Sequence, residues 1–267
     1  MVWGHPLGCG FPDNSSKFIP TEVLIDSLKE NISSVFAGQM RSGLITESGK
    51  VFAWGEWFTG TKQSKPKELP ISYPCKKLAI GKMFISALTT IGKVFTVGDN
   101  TYGELGLGRD IKTTLRFTEV PFNSQVIDIA AGARHILFLT RDQKLFTCGD
   151  NSEGQCGIDI NRSYNPIEIP VKTFLNKSQP ERLFCGEAHS AFLTNDGELF
   201  CWGDNTAGRL GFKGSMSVLR PRIVEDTMGK FIAGVGLGGL FTAVLVGPSG
   251  HSLLKRSHDS EELIPPA

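Results

Sequence analysis

Three stretches read as variants of one sentence: VFTVGDNTYGELG (94–106), LFTCGDNSEGQCG (145–157) and LFCWGDNTAGRLG (199–211). Each joins an aromatic-bearing, β-prone run to a Gly-Asp-Asn corner and a second glycine, and internal repetition on this scale decides the architecture before any single motif does. Aligning the glycine that ends each run gives Gly55, Gly98, Gly149 and Gly203, with a weaker first copy at Gly4, at intervals of 51, 43, 51 and 54 residues.

The pattern extends upstream of each anchor: AGQMRSGLITESGKVFAWG, IGKMFISALTTIGKVFTVG, AGARHILFLTRDQKLFTCG and CGEAHSAFLTNDGELFCWG. The common skeleton is a small residue and Gly, a gap, an apolar run ending in Thr, a short turn and an aromatic strand. The turns TESGK, TTIGK, TRDQK and TNDGE place Gly, Asp or Asn between two β-prone runs, which predicts tight hairpins. In the third full unit VIDIAAG, HILFLT, LFTCG and NPIEIPV read as four successive strands. These runs are short, β-branched or aromatic and separated by glycine, so helices are excluded. Four-stranded units that cannot bury both faces alone pack around an axis, and the expectation is an all-β propeller.

The last unit has two strands, KFIAGVG and LFTAVLV, and then GPSGHSLLKRS in place of a third. MVWG and PTEVLI at the beginning match the third and outer strands. One blade stitched from both ends would make about five blades and leave no exposed sheet edge. The propeller is assigned to residues 1–251 and a short polar tail to 252–267; a closed ring would be a monomer.

The skeleton, clearest in CGEAHSAFLTNDGELFCWGDNTAGRLG, resembles the regulator of chromosome condensation repeat family. The resemblance implies a β-propeller, although family members usually have seven blades. Its roles include exchange on the GTPase Ran at chromatin, a ciliary GTPase regulator, a plant UV-B receptor and modules of ubiquitin ligases. The family fixes fold better than function.

Net charge is +1 and only LLKRS offers a basic extension, which argues against nucleic acid or chromatin. Trp3, Trp54, Trp57 and Trp202 lie at or beside repeat positions, as packing residues would, rather than as a light sensor. The longest apolar run, 233–247, is broken by glycines and too short for a membrane span. MVWGHPLGCGF lacks the pattern of a secretory signal, so a cytoplasmic or nuclear, non-secreted protein is expected. Cysteines 148, 156 and 201 stand where other copies carry apolar or small residues and read as free thiols.

Gly234-Val235-Gly236-Leu237-Gly238-Gly239 satisfies a dinucleotide fingerprint, but a strand follows where that motif needs a helix. No Walker loop, hydrolase elbow or metal-ligand spacing occurs, so neither cofactor nor metal nor classical catalysis is expected. His135 and His189 share one repeat position and read as structural hydrogen-bonding residues, alongside Gly132 and Gly186. Asp99, Asp150 and Asp204, with Asn100, Asn151 and Asn205, read as turn caps, with partner contact as the alternative.

Function is expected to be non-catalytic protein binding through the loops, tuning a small-GTPase pathway. Two alternatives stand open: guanine nucleotide exchange on a small GTPase, and an incomplete form of a seven-bladed family member.

Overall fold

The structure is a computed structural model describing residues 2–4, 17–21, 30–57, 60–175 and 178–247. Four four-stranded antiparallel sheets follow one another along the chain. Blade 1 comprises β3 (Ile32–Ala37), β4 (Arg41–Thr46), β5 (Val51–Glu56) and β6 (Lys62–Glu68); blade 2 comprises β7 (Cys75–Ile80), β8 (Phe84–Thr89), β9 (Val94–Asp99) and β10 (Thr113–Val120). Blade 3 comprises β11 (Val126–Ala131), β12 (His135–Thr140), β13 (Leu145–Asp150) and β14 (Arg162–Ile169); blade 4 comprises β15 (Pro180–Cys185), β16 (His189–Thr194), β17 (Leu199–Gly203) and β18 (Val218–Ile223). Outer strand β14 starts upstream of the expected NPIEIPV run, at Arg162, because the ladder resumes opposite Asp150.

Two shorter pairs stand at the ends: β1 (Val2–Gly4) with β2 (Lys17–Thr21), and β19 (Ile232–Leu237) with β20 (Thr242–Val246). They are separate two-stranded sheets, so the described strands complete four blades and begin a fifth. Most of PTEVLI and the whole 252–267 tail lie outside the described residues.

Each blade is a meander because its turns are short. Between the second and third strands the Thr that ends the apolar run folds back: the hydroxyl oxygens of Thr46, Thr89, Thr140 and Thr194 accept from the amides of Lys50, Lys93, Lys144 and Glu198. The turn also needs one left-handed residue, supplied by Gly49, Gly92 and Gly197; in blade 3 Gln143 adopts it at φ 61°.

The apolar core lies between blades. One cluster joins Leu137, Cys156 and Ile169 of blade 3 to Phe192, Phe200 and Trp202 of blade 4; a second joins Phe84 and Leu105 of blade 2 to Phe138 and Cys148 of blade 3. Similar clusters link blades 1 and 2 and run from blade 4 to β19 and β20. The second strands β8, β12 and β16 are buried at every position because neighbouring blades cover both faces. Cys75, Cys148, Cys156, Cys185 and Cys201 are free thiols, and burial raises the pKa of Cys156 and Cys201 to about 12. No helix of the described residues is long and apolar enough to cross a membrane.

Candidate protein-interaction face

The corner after each third strand is built by two side chains with different reach. Asp99 Oδ1 accepts from the amide and hydroxyl of Thr101, and Asp150 Oδ1 and Asp204 Oδ1 accept from the amides of Ser152 and Thr206, so each Asp closes its own turn. The Asn ties down the long loop that follows. Asn151 Nδ2 donates to the carbonyls of Ile158 and Ile160 at 2.8 and 2.7 Å, and its Oδ1 accepts from Cys156 at 2.8 Å. Asn100 repeats this with Gly108, Ile111 and Leu105, and Asn205 with Phe212, Gly214 and Leu210. All three Asn side chains are buried.

The strand-ending glycines Gly55, Gly98, Gly149 and Gly203 all have φ between 104° and 131°. At Gly149 a Cβ would sit 2.3 Å from the Arg134 carbonyl oxygen, so the close approach of β13 to the start of β12 requires glycine. Opposite these glycines lies one register position occupied by Arg41, Phe84, His135 and His189. The two histidines are the part of this position that stands out by eye. Arg41 and Phe84 emerge only when the register is counted back from the glycines.

This position joins neighbouring blades. His135 Nε2 lies 2.8 Å from Ser190 Oγ, and that hydroxyl donates to the Gln155 carbonyl at 2.7 Å, so the ring is the Nε2–H donor. His189 repeats the relay through Thr242 to the Arg209 carbonyl. Burial lowers the pKa to about 3 at His135 and about 4 at His189, which keeps both neutral. Gly132 and Gly186 leave room for these rings: a Cβ on either would come within 2.1 Å of the imidazole Cε1. In blade 1, Arg41 donates directly across to the Lys82 carbonyl at 2.6 Å.

Beside this layer the turns after the first strands meet. Lys82 N donates to Ala133 O, Ala133 N to Glu187 O and Glu187 N to Gly238 O, a backbone chain running through blades 2, 3 and 4 to the turn between β19 and β20. Next to it opens a cavity of about 350 Å³ lined by Arg134, Asp150, Glu153, Glu187, Asp204 and Arg209 among others. Of the three repeated aspartates, Asp150 and Asp204 line it and Asp99 does not. Arg209 is held on three sides, by Asp204 at 3.1 Å, by Thr206 O and by Gly239 O. Burial opposes ionisation of Asp204, but hydrogen bonds from Thr206 and the Arg209 charge keep its carboxyl below the usual range. Glu104 and Gln155 take the Arg209 position in blades 2 and 3; the amides of Tyr102 and Glu153 donate to their side-chain oxygens. Burial raises the Glu104 pKa to about 7. Arg134 stacks over Tyr102 at 4.5 Å, so one blade's loop positions the next blade's charge. Among the described residues no group of three or more His, Cys, Asp or Glu side chains is arranged to hold a metal.

A face made of recurring loops on a rigid β frame defines a class of repeat propeller. The chain belongs to the regulator of chromosome condensation (RCC1) repeat family, whose model matches residues 92–139, 142–193 and 196–245, more than half of its length. These units begin near each third strand and end in the next blade's second strand, so each repeat spans two blades. Over 192 residues the chain is 32% identical to the human X-linked retinitis pigmentosa GTPase regulator, covering 70% of this chain and 18% of that protein. Over 211 residues it is 30% identical to the mouse E3 ubiquitin-protein ligase HERC2, covering 71% of this chain and 4% of that protein. The chain thus spans a small part of these relatives. Its fold is similar to that of human WBSCR16, with a TM-score of 0.75 and 25% identity over 83% of this chain and 59% of that one. It is also similar to yeast Prp20p, with a TM-score of 0.79 and 24% identity over 91% of this chain and 63% of that one.

Proposed function

We propose that this chain is a non-catalytic protein-recognition propeller acting in a small-GTPase pathway through the face around Arg134, Asp150, Glu187 and Asp204. The supporting observation is the convergence of mixed charges around one cavity on loops whose outer positions vary between blades, as Tyr102, Glu153 and Ala207 do, while the frame beneath them repeats. Fixed backbone with variable tips suits recognition of a protein surface. The similarity to a protein named as a GTPase regulator supports the choice of pathway. So does the likeness in fold to Prp20p, a protein described with binding properties toward Gsp1p and histones.

Guanine nucleotide exchange is the finer reading, and one experiment addresses both. The chain is tested against a panel of small GTPases for binding and for release of a fluorescent nucleotide, beside Arg134→Glu and Glu187→Lys variants. Binding without accelerated release supports recognition alone, and release abolished by the variants establishes exchange. Binding to none of the panel, or binding that the variants leave unchanged, rejects this face as the site for a GTPase.

A further inference from the structure

At the seam between blades 2 and 3 the loop tips carry a cluster that no other seam repeats. Tyr102, in the corner after β9, receives two guanidinium groups from blade 3: Arg134, just before β12, lies 4.5 Å from its ring centroid, and Arg162, which opens β14, lies 5.3 Å away. Arg109, later in the blade 2 loop, lies 6.0 Å from the ring centroid of Tyr164. The Tyr164 hydroxyl donates to the Thr101 carbonyl, which also accepts from Arg162 at 3.4 Å. Beneath the cluster the loop is pressed onto β14: Gly103 has φ 91°, and a Cβ on it would lie 2.1 Å from the Ser163 carbonyl oxygen.

All three arginines are exposed, and among the described residues no carboxylate forms an ion pair with any of them. Stacking occupies the flat face of a guanidinium and leaves its in-plane N–H donors available. At the next seam, counting from the strand-ending glycines, Glu153, Ala188, Ser217 and Leu219 hold the places of Tyr102, Arg134, Arg162 and Tyr164. There Ser217 Oγ donates to Glu153 Oε2 at 2.8 Å, so that seam satisfies itself. The basic patch is also local: Asp150 stands opposite Arg162 in the ladder, and Asp110 follows Arg109. A long polyanion laid across the face would meet these carboxylates, whereas a short segment avoids them.

We propose that the seam between blades 2 and 3 docks a short acidic segment of a partner protein, with Arg109, Arg134 and Arg162 holding its oxyanions. Carboxylate and phosphoryl groups share the required chemistry, since both accept paired N–H bonds from a guanidinium. Tyr102 and Tyr164 keep the arginines ordered before the ligand arrives, which lowers the cost of binding. The site shares Arg134 with the face proposed above, but Arg109 and Arg162 do not line that cavity, and the inference holds whether or not the partner is a small GTPase.

The test uses degenerate peptide libraries with phosphoserine, Glu or Gln fixed at the centre, selected against the wild-type chain, with binding of enriched peptides read by fluorescence anisotropy. The phosphoserine or Glu library should enrich over the Gln library, and which of the two does so identifies the source of the oxyanion. Binding should weaken as salt rises. Arg109→Gln and Arg162→Gln, both surface changes, should keep the wild-type Tm and each weaken binding about tenfold or more. Arg134→Lys, which keeps the charge and loses the fork, should weaken it as well. Arg141→Gln, at the opposite end of β12, should leave it unchanged. Enrichment no greater than with Gln, binding that Arg109→Gln and Arg162→Gln both leave intact, or an equal loss with Arg141→Gln would overturn the proposal. If one of the two seam variants fails to fold, the other decides.

Discussion

At the scale of single residues, the chain places ionisable groups where the fold must neutralise them, and the two kinds pull stability in opposite directions with pH. Glu104, pushed up to about 7 by burial, stays protonated in the fold where the unfolded chain has already ionised near 4.5. The fold therefore loses stability as pH rises from about 4.5 through about 7. Gln155 holds the same place in blade 3 and accepts the same backbone bond, so Glu104→Gln keeps the hydrogen bond and removes the charge. We expect Glu104→Gln to stabilise the protein by on the order of 1–3 kcal/mol at pH 8 and to change nothing near pH 4.5, measured by urea unfolding at both pH values. An equal effect at both would show that burial of the charge is not the cause. His135 and His189 act the other way: with folded values depressed below the unfolded 6.5, they withdraw stability as pH falls from about 6.5 toward 3.

At the scale of the element, the corner after each third strand divides its work between adjacent residues. Asp99 closes a turn at the surface, whereas the buried Asn151 secures three backbone groups between five and nine residues away. Asn151→Ala should cost about 2–4 kcal/mol, because it strands buried donors and acceptors, and Asp99→Ala should cost about 0.5–1 kcal/mol, as the loss of an exposed cap does. Comparable losses from both in chemical denaturation would contradict the division. This difference was not legible in the sequence. Asp and Asn both favour turns, and nothing local says that one of them reaches across a loop to residues with no motif of their own. The hairpins were legible, since TESGK, TTIGK and TNDGE carry their left-handed glycine openly; TRDQK keeps the same turn only because Gln143 accepts a conformation its type rarely adopts. The position shared by Arg41, Phe84, His135 and His189 was half visible, because its chemistry changes between blades while its register does not.

At the scale of the whole molecule, the periodicity gave away the propeller but could not say how the ends meet, since pairing between distant strands leaves no local signature. The described strands end in two two-stranded sheets, and apolar side chains are uncovered at both extremities: Val35 is 73% exposed, Phe241 63% and Leu245 66%. A strand edge flanked by exposed apolar groups is unstable in isolation and prone to pair. Stability should therefore fall along the chain from the middle blades outward. The amides of β12 and β16, buried at every position and hydrogen-bonded on both sides, should exchange with solvent slowest, near the rate set by global unfolding. Those of β19 and β20, partly exposed and with no outer pair of strands among the described residues, should exchange orders of magnitude faster. Hydrogen exchange read by mass spectrometry on the intact chain checks this gradient. Protection of β20 equal to that of β16 would mean that another strand covers its edge in solution. In that event exchange at β1 and β2 identifies the source: protection there as well marks a blade completed by the chain's own beginning, and its absence marks a second molecule.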